Sequence, residues 1–396
     1  MSELVPGALR LPDDHALLRM RRAALAVGVA GLVALLVGWF VDPNQCMRSY
    51  LVGFVFWIGV PLGGLAVLLI HGVTGGAWGV AIRRPLESAA LTLPLMAVLF
   101  VPLALGAGRL YVWAQPEIVA HDPILQWKAA YLNWPFFCAR AVLYFVSWIL
   151  VARSLAYWSL EQDAGTDARA DRRLHALSRG GLVVLGLTMT FASFDWMMSL
   201  EPHWYSTIYG ILFMGSCALS AFSFAIPVVA ALRDRPAVAR FVGVSVFHDL
   251  GNLLLAFTML WGYFQLSQFL ITWSANLPEE ITWYLVRTRG GWQLVTVLLV
   301  FIHLFLPFAV LLSRNVKRWP LGLAAVAVWM LAGRLLAVFW LVRPPFAPPA
   351  AAFHVLDVAA LAGMGGLFLA LFVDRLAARP VLPLRDPSMP VAEAES

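Results

Sequence analysis

Long, uninterrupted apolar runs follow one another along most of the chain. A helix needs about twenty mainly apolar residues to cross the roughly 30 Å hydrocarbon core of a bilayer. Ten runs of about that length lie at approximately residues 23–40, 50–73, 86–106, 131–157, 180–200, 206–232, 241–273, 291–313, 320–342 and 353–374. A β-barrel would instead show alternation with period two over about ten residues per strand. The pattern therefore predicts an all-α polytopic membrane protein with about ten transmembrane helices.

The composition and the short connections agree with this prediction. Hydrophobic residues make up 61% of the chain and charged residues only 13%, about half the charged share of a soluble domain. We expect an N-terminal segment (1–22), a ten-helix membrane domain (23–376) and a C-terminal tail (377–396) that is polar, interrupted by proline and disordered. On one side of the membrane, a short interfacial helix is predicted to begin near Pro278 and to end before Gly290 and Gly291.

The distribution of basic residues predicts the orientation. Of the 28 Lys and Arg residues, twenty lie in the N-terminal segment, the tail, and every second loop together with Arg153 at the adjoining helix end, whereas six lie in the other loops. Arg140 and Arg334 lie within predicted helices. The positive-inside rule then puts both termini in the cytoplasm. This bias accounts for the net charge of +6, and because no basic stretch interleaves with aromatic residues, we expect no nucleic-acid partner.

Motifs for redox cofactors and for soluble catalysis are missing from the sequence. Cys46, Cys138 and Cys217 are solitary, so the spacing needed for an iron–sulfur cluster or a structural zinc ion is missing. Of the eight histidines, only His303 lies near the middle of a predicted helix. There is no Walker loop, dinucleotide fingerprint or nucleophile elbow. We expect that the chain itself binds no metal, haem, flavin or iron–sulfur cluster.

Polar side chains form a line along the seventh predicted helix. At about 100° per residue, Asp249, Asn252, Tyr263 and Ser267 fall within about 60° of one another, and His248 lies about 40° further round. An ionisable group near the centre of a membrane helix costs about 2.5 to 3.5 kcal/mol and is by default a hypothesis of function. We expect this line to face the protein interior, with His248 and Asp249 taking up protons from the cytoplasmic side.

Other predicted helices carry ionisable groups at further depths. We expect helices four to seven to enclose a polar interior that joins Arg140, Asp195 and the line on the seventh helix. Across all depths, the candidate groups for a proton path are His248, Asp249, Asn252, Tyr263, Asp195, Arg140, Tyr144, His303, Arg334, His354, Asp357, Glu201 and His203.

A purely structural interpretation competes with the proton path. Small and hydroxylated residues are ordinary packing material between membrane helices. An arginine that neutralises an aspartate on a neighbouring helix is a common structural arrangement, and a single histidine such as His303 is more often part of a packed core. The sequence leaves both interpretations open.

Three stretches resemble a known family. They read "SFDWMMSLEPHWYSTIYG", "HDLGNLLLAFTMLWGYFQLSQFLITWSANLPEEITWYLVRTRGGWQ" and "HLFLPFAVLLSRNVKRWP". They resemble one of the two paralogous membrane subunits of bacterial alternative complex III, a quinol:electron-acceptor oxidoreductase. Both of these subunits are similar to the membrane subunit of polysulfide reductase and to NrfD-type proteins. The resemblance covers about residues 20–375. It implies two four-helix bundles, helices two to five and six to nine, with helices one and ten beside them.

The resemblance also implies partners and a location. The partners are a paralogous quinol-binding membrane subunit, an iron–sulfur protein, and multihaem and monohaem cytochrome c subunits. The location is the bacterial inner membrane. Quinol oxidation is assigned to the paralogous subunit, a proton-conducting role has been proposed for both, and a quinone or quinol (menaquinone or ubiquinone) is the one cofactor left open for this chain.

The sequence therefore leaves three possible functions open. The first is a membrane subunit of a quinol oxidoreductase that contributes a proton path. The second is a structural scaffold without a proton or quinone role. The third is a secondary transporter, which would require broken helices at paired positions near the midplane.

Overall fold

The computed structural model of the chain describes residues 11–12, 15–165, 169–346, 351–383 and 385–386. These residues form helices, turns and loops, and none of them is in a β-strand. The all-α class predicted from the apolar runs is confirmed.

Nine helices of the described chain are long and apolar enough to cross a membrane, and a further pair of helices meets the same test when taken together. We number these ten candidate spans in chain order. Their bounds are Ala16–Val41, Pro43–Thr74, the pair Ala77–Ala90 and Leu93–Leu105, Trp134–Ala164, Ala170–Trp196, Tyr209–Leu232, Val244–Ala275, Trp292–Leu312, Pro320–Val342 and Val355–Ala377. We call the side on which the first span begins and the tenth span ends the terminal side, and the opposite side the far side.

Side-chain caps and prolines set several helix starts. The Asp42 carboxylate accepts the backbone N–H of Gln45 at 3.0 Å, and Pro43 occupies the first helical position of the second span. Asn133 caps the fourth span in the same way by accepting the N–H of Phe136 at 2.9 Å. A capping side chain satisfies a backbone donor that the helix leaves free, and proline at the first position loses no hydrogen bond. The first two spans are consequently joined through Asp42 alone.

The second and sixth spans form the centre of the molecule. In their most apolar windows, 83% and 72% of the residues are buried inside the chain. A Cβ atom on Gly63 would lie 1.8 Å from the backbone oxygen of Cys217, so only glycine permits the observed approach of these two helices. The second span also contacts the first, third, fifth, ninth and tenth spans. The division into two four-helix bundles stays a prediction.

The first and tenth spans pack backbone to backbone. A Cβ atom on Gly31 would lie 2.4 Å from the backbone nitrogen of Gly363. Small residues at such a crossing let helices approach closely in a lipid environment, where dispersion contacts drive association. The tenth span, which ends the membrane domain, is thereby held against the first.

The first, seventh and eighth spans are the most peripheral. Only 22%, 28% and 22% of the residues in their apolar windows are buried inside the chain. Their outward side chains are largely apolar, which suits contact with lipid.

The third span is bent by 41° between its two helices. Its first helix begins at Ala77, well before the apolar run that predicted a start near residue 86. Arg83 and Arg84, which the sequence pattern places in a loop, are therefore buried helical residues. They are buried because each has an acidic partner, as described below.

Two predictions outside the spans have different outcomes. A short helix does begin at Pro278 and ends at Val286, before Gly290 and Gly291, whose backbones have positive φ. The predicted disorder of the tail is wrong for its first part, because Val381 and Leu382 are buried in the core. Residues 384 and 387–396 of the predicted tail lie outside the described residues.

Candidate functional site

A bidentate ion pair joins the fourth and fifth spans in the far half of the membrane. The Nε of Arg140 donates to Oδ2 of Asp195 at 2.8 Å, and its Nη2 donates to Oδ1 at 2.8 Å. The Tyr144 hydroxyl donates to the same Oδ2 at 2.8 Å. Both charged side chains are buried. The predicted association of Arg140, Tyr144 and Asp195 is present in the structure.

Arg140 also makes one backbone hydrogen bond and two contacts with aromatic rings. Its Nη1 donates to the backbone oxygen of Tyr131 at 2.9 Å, and its guanidinium lies 3.8 Å from the ring centre of Tyr131 and 4.4 Å from that of Phe136. A guanidinium suits such a place because it can use its planar fork and stack on aromatic rings at the same time. This ion pair therefore meets the requirements of a stable structural contact as well as those of a charged relay.

Polar groups continue from Asp195 toward the membrane centre. The ring of Tyr144 stacks on Trp148 with 5.9 Å between their centres, and the indole N–H of Trp148 donates to the hydroxyl of Thr188 at 2.8 Å. Beyond Thr188 the fifth span carries only apolar residues from 181 to 187. The polar line of the far half therefore stops near the middle of the membrane.

A cavity of about 170 Å³ lies on the terminal side, among the second, third, fourth and fifth spans. Both of its histidines have one ring nitrogen on a backbone oxygen: His71 Nε2 is 2.9 Å from Gly76, and His175 Nδ1 is 2.7 Å from Gly72. An imidazole can both accept and donate a proton, so the two histidines are candidates for proton transfer. The charged and titratable residues that line the cavity are His71, Arg83, Glu87, Asp171, His175 and Asp386.

Ser178, whose side chain carries a hydroxyl, is among the residues that line this cavity. That hydroxyl is buried and has no hydrogen-bond partner within the described protein. A buried hydroxyl is normally satisfied by protein or by ordered water, so this position is suited to water that enters from the cavity. Ser178 precedes Thr188 by ten residues of helix, which corresponds to about 15 Å.

One wall of the cavity is a fixed network of charges. Glu87 accepts Arg83 Nε at 3.1 Å and Arg84 Nη1 at 2.6 Å, and Arg84 also forms an ion pair with Asp163 of the fourth span. Because Glu87 accepts hydrogen bonds from two guanidinium groups, we assign it a structural role in the cavity wall and no role in proton uptake. The spacing of Glu87 from Arg83 and Arg84 places the three on one helical face, and this spacing is the signal in the sequence for a buried charge network.

The expected interior position of the seventh-helix line is wrong. The side chain of Asp249 is 54% exposed and that of His248 33% exposed, and Tyr263 is 64% exposed. Asn252 is also exposed. The seventh span has 32 residues, or about 48 Å, so Asp249 lies near its terminal end, where it escapes the cost of full burial.

The polar end of the seventh span is bound to a neighbouring helix. The Nζ of Lys317 donates to the side-chain oxygen of Asn252 at 2.8 Å, and the amide of Asn252 lies 3.3 Å from Nδ1 of His248. This surface cluster does not connect with Asp195, which lies on the far side of the molecule.

His354 and Asp357 form a helix cap at the start of the tenth span. The His354 side chain accepts the N–H of Leu356 at 3.2 Å, and Asp357 accepts the N–H of His354 at 2.8 Å. Asp357 also accepts the hydroxyl of Ser49 at 2.7 Å. This reciprocal arrangement satisfies free backbone donors at the start of the tenth span.

Glu201 and His203 each have a separate polar partner on the far side. Glu201 accepts Nη2 of Arg287 at 3.0 Å, and His203 Nε2 lies 2.7 Å from Oδ2 of Asp122. Desolvation raises the pKa of the Asp122 carboxyl, but the backbone N–H groups of Leu125 and Ile124 and the side chain of His203 together lower it more. The pKa of Asp122 therefore lies below its ordinary value.

His303 and Arg334 lie deep inside the second half of the chain. His303 is 0% exposed and Arg334 is 1% exposed. A Cβ atom on Gly333, next to Arg334, would lie 2.4 Å from Nδ1 of His303. Arg334 also interacts electrostatically with His303, so the two residues are neighbours, and they are separate from the Arg140–Asp195 pair.

A second, largely apolar pocket opens on the far side beside the Asp195 network. Its volume is about 240 Å³. The Nζ of Lys128 at its edge donates to the backbone oxygen of Pro202 at 2.6 Å. The aromatic residues that line it are Tyr131, Phe194, Trp204 and Tyr205.

Within the described part of the chain, no three His, Cys, Asp or Glu side chains come together in a way that could hold a metal ion. The sequence matches no protein-family model, and no curated protein matches it.

Proposed function

We propose that the chain is a proton-conducting membrane subunit of a quinol:electron-acceptor oxidoreductase of the alternative complex III type. The observation that carries the proposal is the cavity on the terminal side, which brings His71 and His175 to a buried hydroxyl, Ser178. The resemblance of the sequence to a membrane subunit of that complex supplies the class of assembly, and the positive-inside rule makes the terminal side cytoplasmic.

The proposed path has two polar halves. The cavity is the uptake half, and the line from Thr188 through Trp148 and Tyr144 to Asp195 is the release half. Between them lie about 15 Å of helix whose residues 181–187 are apolar. A proton crosses this barrier only when water enters it, so the barrier is the place where the redox state of a partner would control transport.

The proposed partners follow from the same resemblance. They are a paralogous membrane subunit that oxidises quinol, an iron–sulfur protein, and multihaem and monohaem cytochrome c subunits in the bacterial inner membrane. The peripheral seventh and eighth spans, with few of their residues buried inside the chain, offer the surface on which the paralogous subunit would pack.

A quinone site in this chain is a second proposal, which the far-side pocket favours. An apolar pocket lined by aromatic side chains accepts a flat ring, and Phe194 and Tyr205 supply that lining. The pocket borders Tyr131, whose backbone oxygen binds Arg140, so a quinone there would lie next to the release half.

The two alternative functions, a secondary transporter and a structural scaffold, require different structural features. A secondary transporter needs a pair of broken helices, but among the described spans only the third is broken. A scaffold needs only stable contacts, and the Arg140–Asp195 pair meets that need. The scaffold therefore remains the alternative that experiment has to exclude.

Purification of the intact assembly tests the proposed class directly. A tagged version of the full chain, expressed in its native host and extracted in mild detergent, is expected to carry haem c and iron–sulfur proteins in fixed stoichiometry. The assembly is expected to reduce an electron acceptor with quinol. Isolation of the chain without redox subunits, in a form that retains its native fold, would contradict the proposal.

A further inference from the structure

Arg334 differs from the other buried arginines of the described chain. Its side chain is 1% exposed, and none of its nitrogens, Nε, Nη1 or Nη2, has a hydrogen-bond partner. The other buried arginines each have an acidic partner, and they are Arg83, Arg84, Arg140 and Arg287. No ion pair involves Arg334 among the described residues.

The neighbouring imidazole is equally unsatisfied. His303 is 0% exposed, and neither of its ring nitrogens has a hydrogen-bond partner in the described protein. It lies in a turn of π-helix, Phe301–Phe305, within the eighth span. The ring of Trp261 meets it edge to face with 4.6 Å between their centres. Single π-helical turns inside α-helices occur frequently at functional sites.

The groups around Arg334 do not neutralise its charge. Its electrostatic neighbours on the sixth span are Cys217 and Tyr209, whose thiol and phenol are neutral at ordinary pH. His303 is the neighbour on the eighth span. A guanidinium is not deprotonated in proteins, and a buried charge without a partner is strongly unfavourable. Water could accept the free N–H groups but would leave the positive charge uncompensated.

We propose that Arg334 and His303 form a binding site for one small inorganic anion of about the size of chloride. An anion accepts hydrogen bonds from the guanidinium and from one ring nitrogen of His303, and it also neutralises the site. The nearly complete burial of both residues excludes a bulky ligand or the side chain of a partner protein. This site is independent of the proton path proposed above, because it uses different spans and different residues.

Bromide is the probe for the experiment, because it resembles chloride and is recognised by its anomalous scattering. The purified full chain, or the assembly that contains it, is crystallised with bromide as the only halide. We expect an anomalous peak within hydrogen-bonding distance of the Arg334 guanidinium and none at Arg84, Arg140 or Arg287, which serve as internal controls. A site at Arg334 that contains only water would overturn the proposal.

A stability measurement tests the same site in solution. Because a ligand stabilises the state that binds it, replacing gluconate with bromide is expected to raise the unfolding temperature of the native chain. The Arg334→Met variant removes the unpaired charge and keeps the apolar volume, so we expect it to fold and to show no shift. A shift of equal size in Arg334→Met, or no shift in the native chain, would contradict the assignment.

Discussion

Arg140 and Asp195 are joined by two parallel hydrogen bonds of 2.8 Å each, across fifty-five positions of sequence and between two membrane spans. The Tyr144 hydroxyl adds a third contact to the same carboxylate. Removing one charge would leave the other buried without compensation, whereas removing both would not. The pair therefore links the stability of the fold to the release half of the proposed path.

A double-mutant cycle measures this link. We expect Asp195→Ala and Arg140→Ala each to lower the free energy of unfolding by about 3 to 5 kcal/mol, because each leaves a buried unpaired charge. The double variant is expected to lose clearly less than the sum of the two. Denaturant unfolding in detergent provides the measurement. Additive losses would show that the two side chains do not stabilise each other.

Loss of the helix cap of the tenth span is expected to lower the free energy of unfolding by a smaller amount. Asp357→Ala removes the acceptor of the His354 N–H and of the Ser49 hydroxyl, so we expect a loss of about 1 to 2 kcal/mol in unfolding free energy. Proton transport by the assembled complex is expected to stay unchanged. If the Asp357→Ala variant is stable but transports fewer protons, Asp357 takes part in proton transport.

The lowered pKa of Asp122, which contacts His203, predicts a dependence of stability on pH. Because the pKa of Asp122 is lowered in the folded chain, its contribution is complete above the unfolded pKa of about 3.9. The contribution is lost as the pH falls through the lower, folded value. The difference in unfolding temperature between the native chain and Asp122→Asn is therefore expected to shrink as the pH falls below about 4. A difference that grows below that pH would have the wrong sign.

The far-side pocket predicts where a quinone analogue reacts. A photoactivatable quinone is expected to label the segment from Phe194 to Tyr205, and excess unlabelled quinone is expected to prevent the labelling. Phe194→Ala enlarges the pocket and removes an aromatic wall, so we expect weaker labelling. The matched control is Phe191→Ala, because Phe191 lies on the same helix but is 42% exposed and does not line the pocket. Labelling confined to a partner subunit would contradict the proposal of a quinone site in this chain.

The residues show which parts of this arrangement the sequence could predict. Continuous apolar runs identify membrane helices, because only long helices or closed barrels satisfy the backbone in lipid. The association of Arg140 with Asp195 was also predictable, since buried charges on consecutive helices have few other partners. The direction in which a polar helix face points could not be predicted from the sequence. Lipid is as apolar as a protein core, so periodicity placed Asp249 and Tyr263 on one face without indicating that this face points outward.

The sequence pattern does not predict the terminal cavity, for a related reason. The apolar runs place Arg83 and Arg84 in a loop, although Glu87, within the next turn, gives them a buried partner. His71 and His175 come from two different spans and meet only through tertiary packing. No spacing within one helix could have brought them together.

The most direct test of the account is the number of protons moved per electron by the complex reconstituted in vesicles. The double variant His71→Gln and His175→Gln removes both titratable imidazoles from the cavity but keeps side chains of similar size. We predict that it assembles, transfers electrons from quinol, and moves fewer protons per electron than the native complex. His248→Gln, the same substitution at the exposed end of the seventh span, and Asp249→Asn are expected to leave the ratio unchanged. An unchanged ratio in the double variant, or a reduced ratio in His248→Gln alone, would contradict the proposed path.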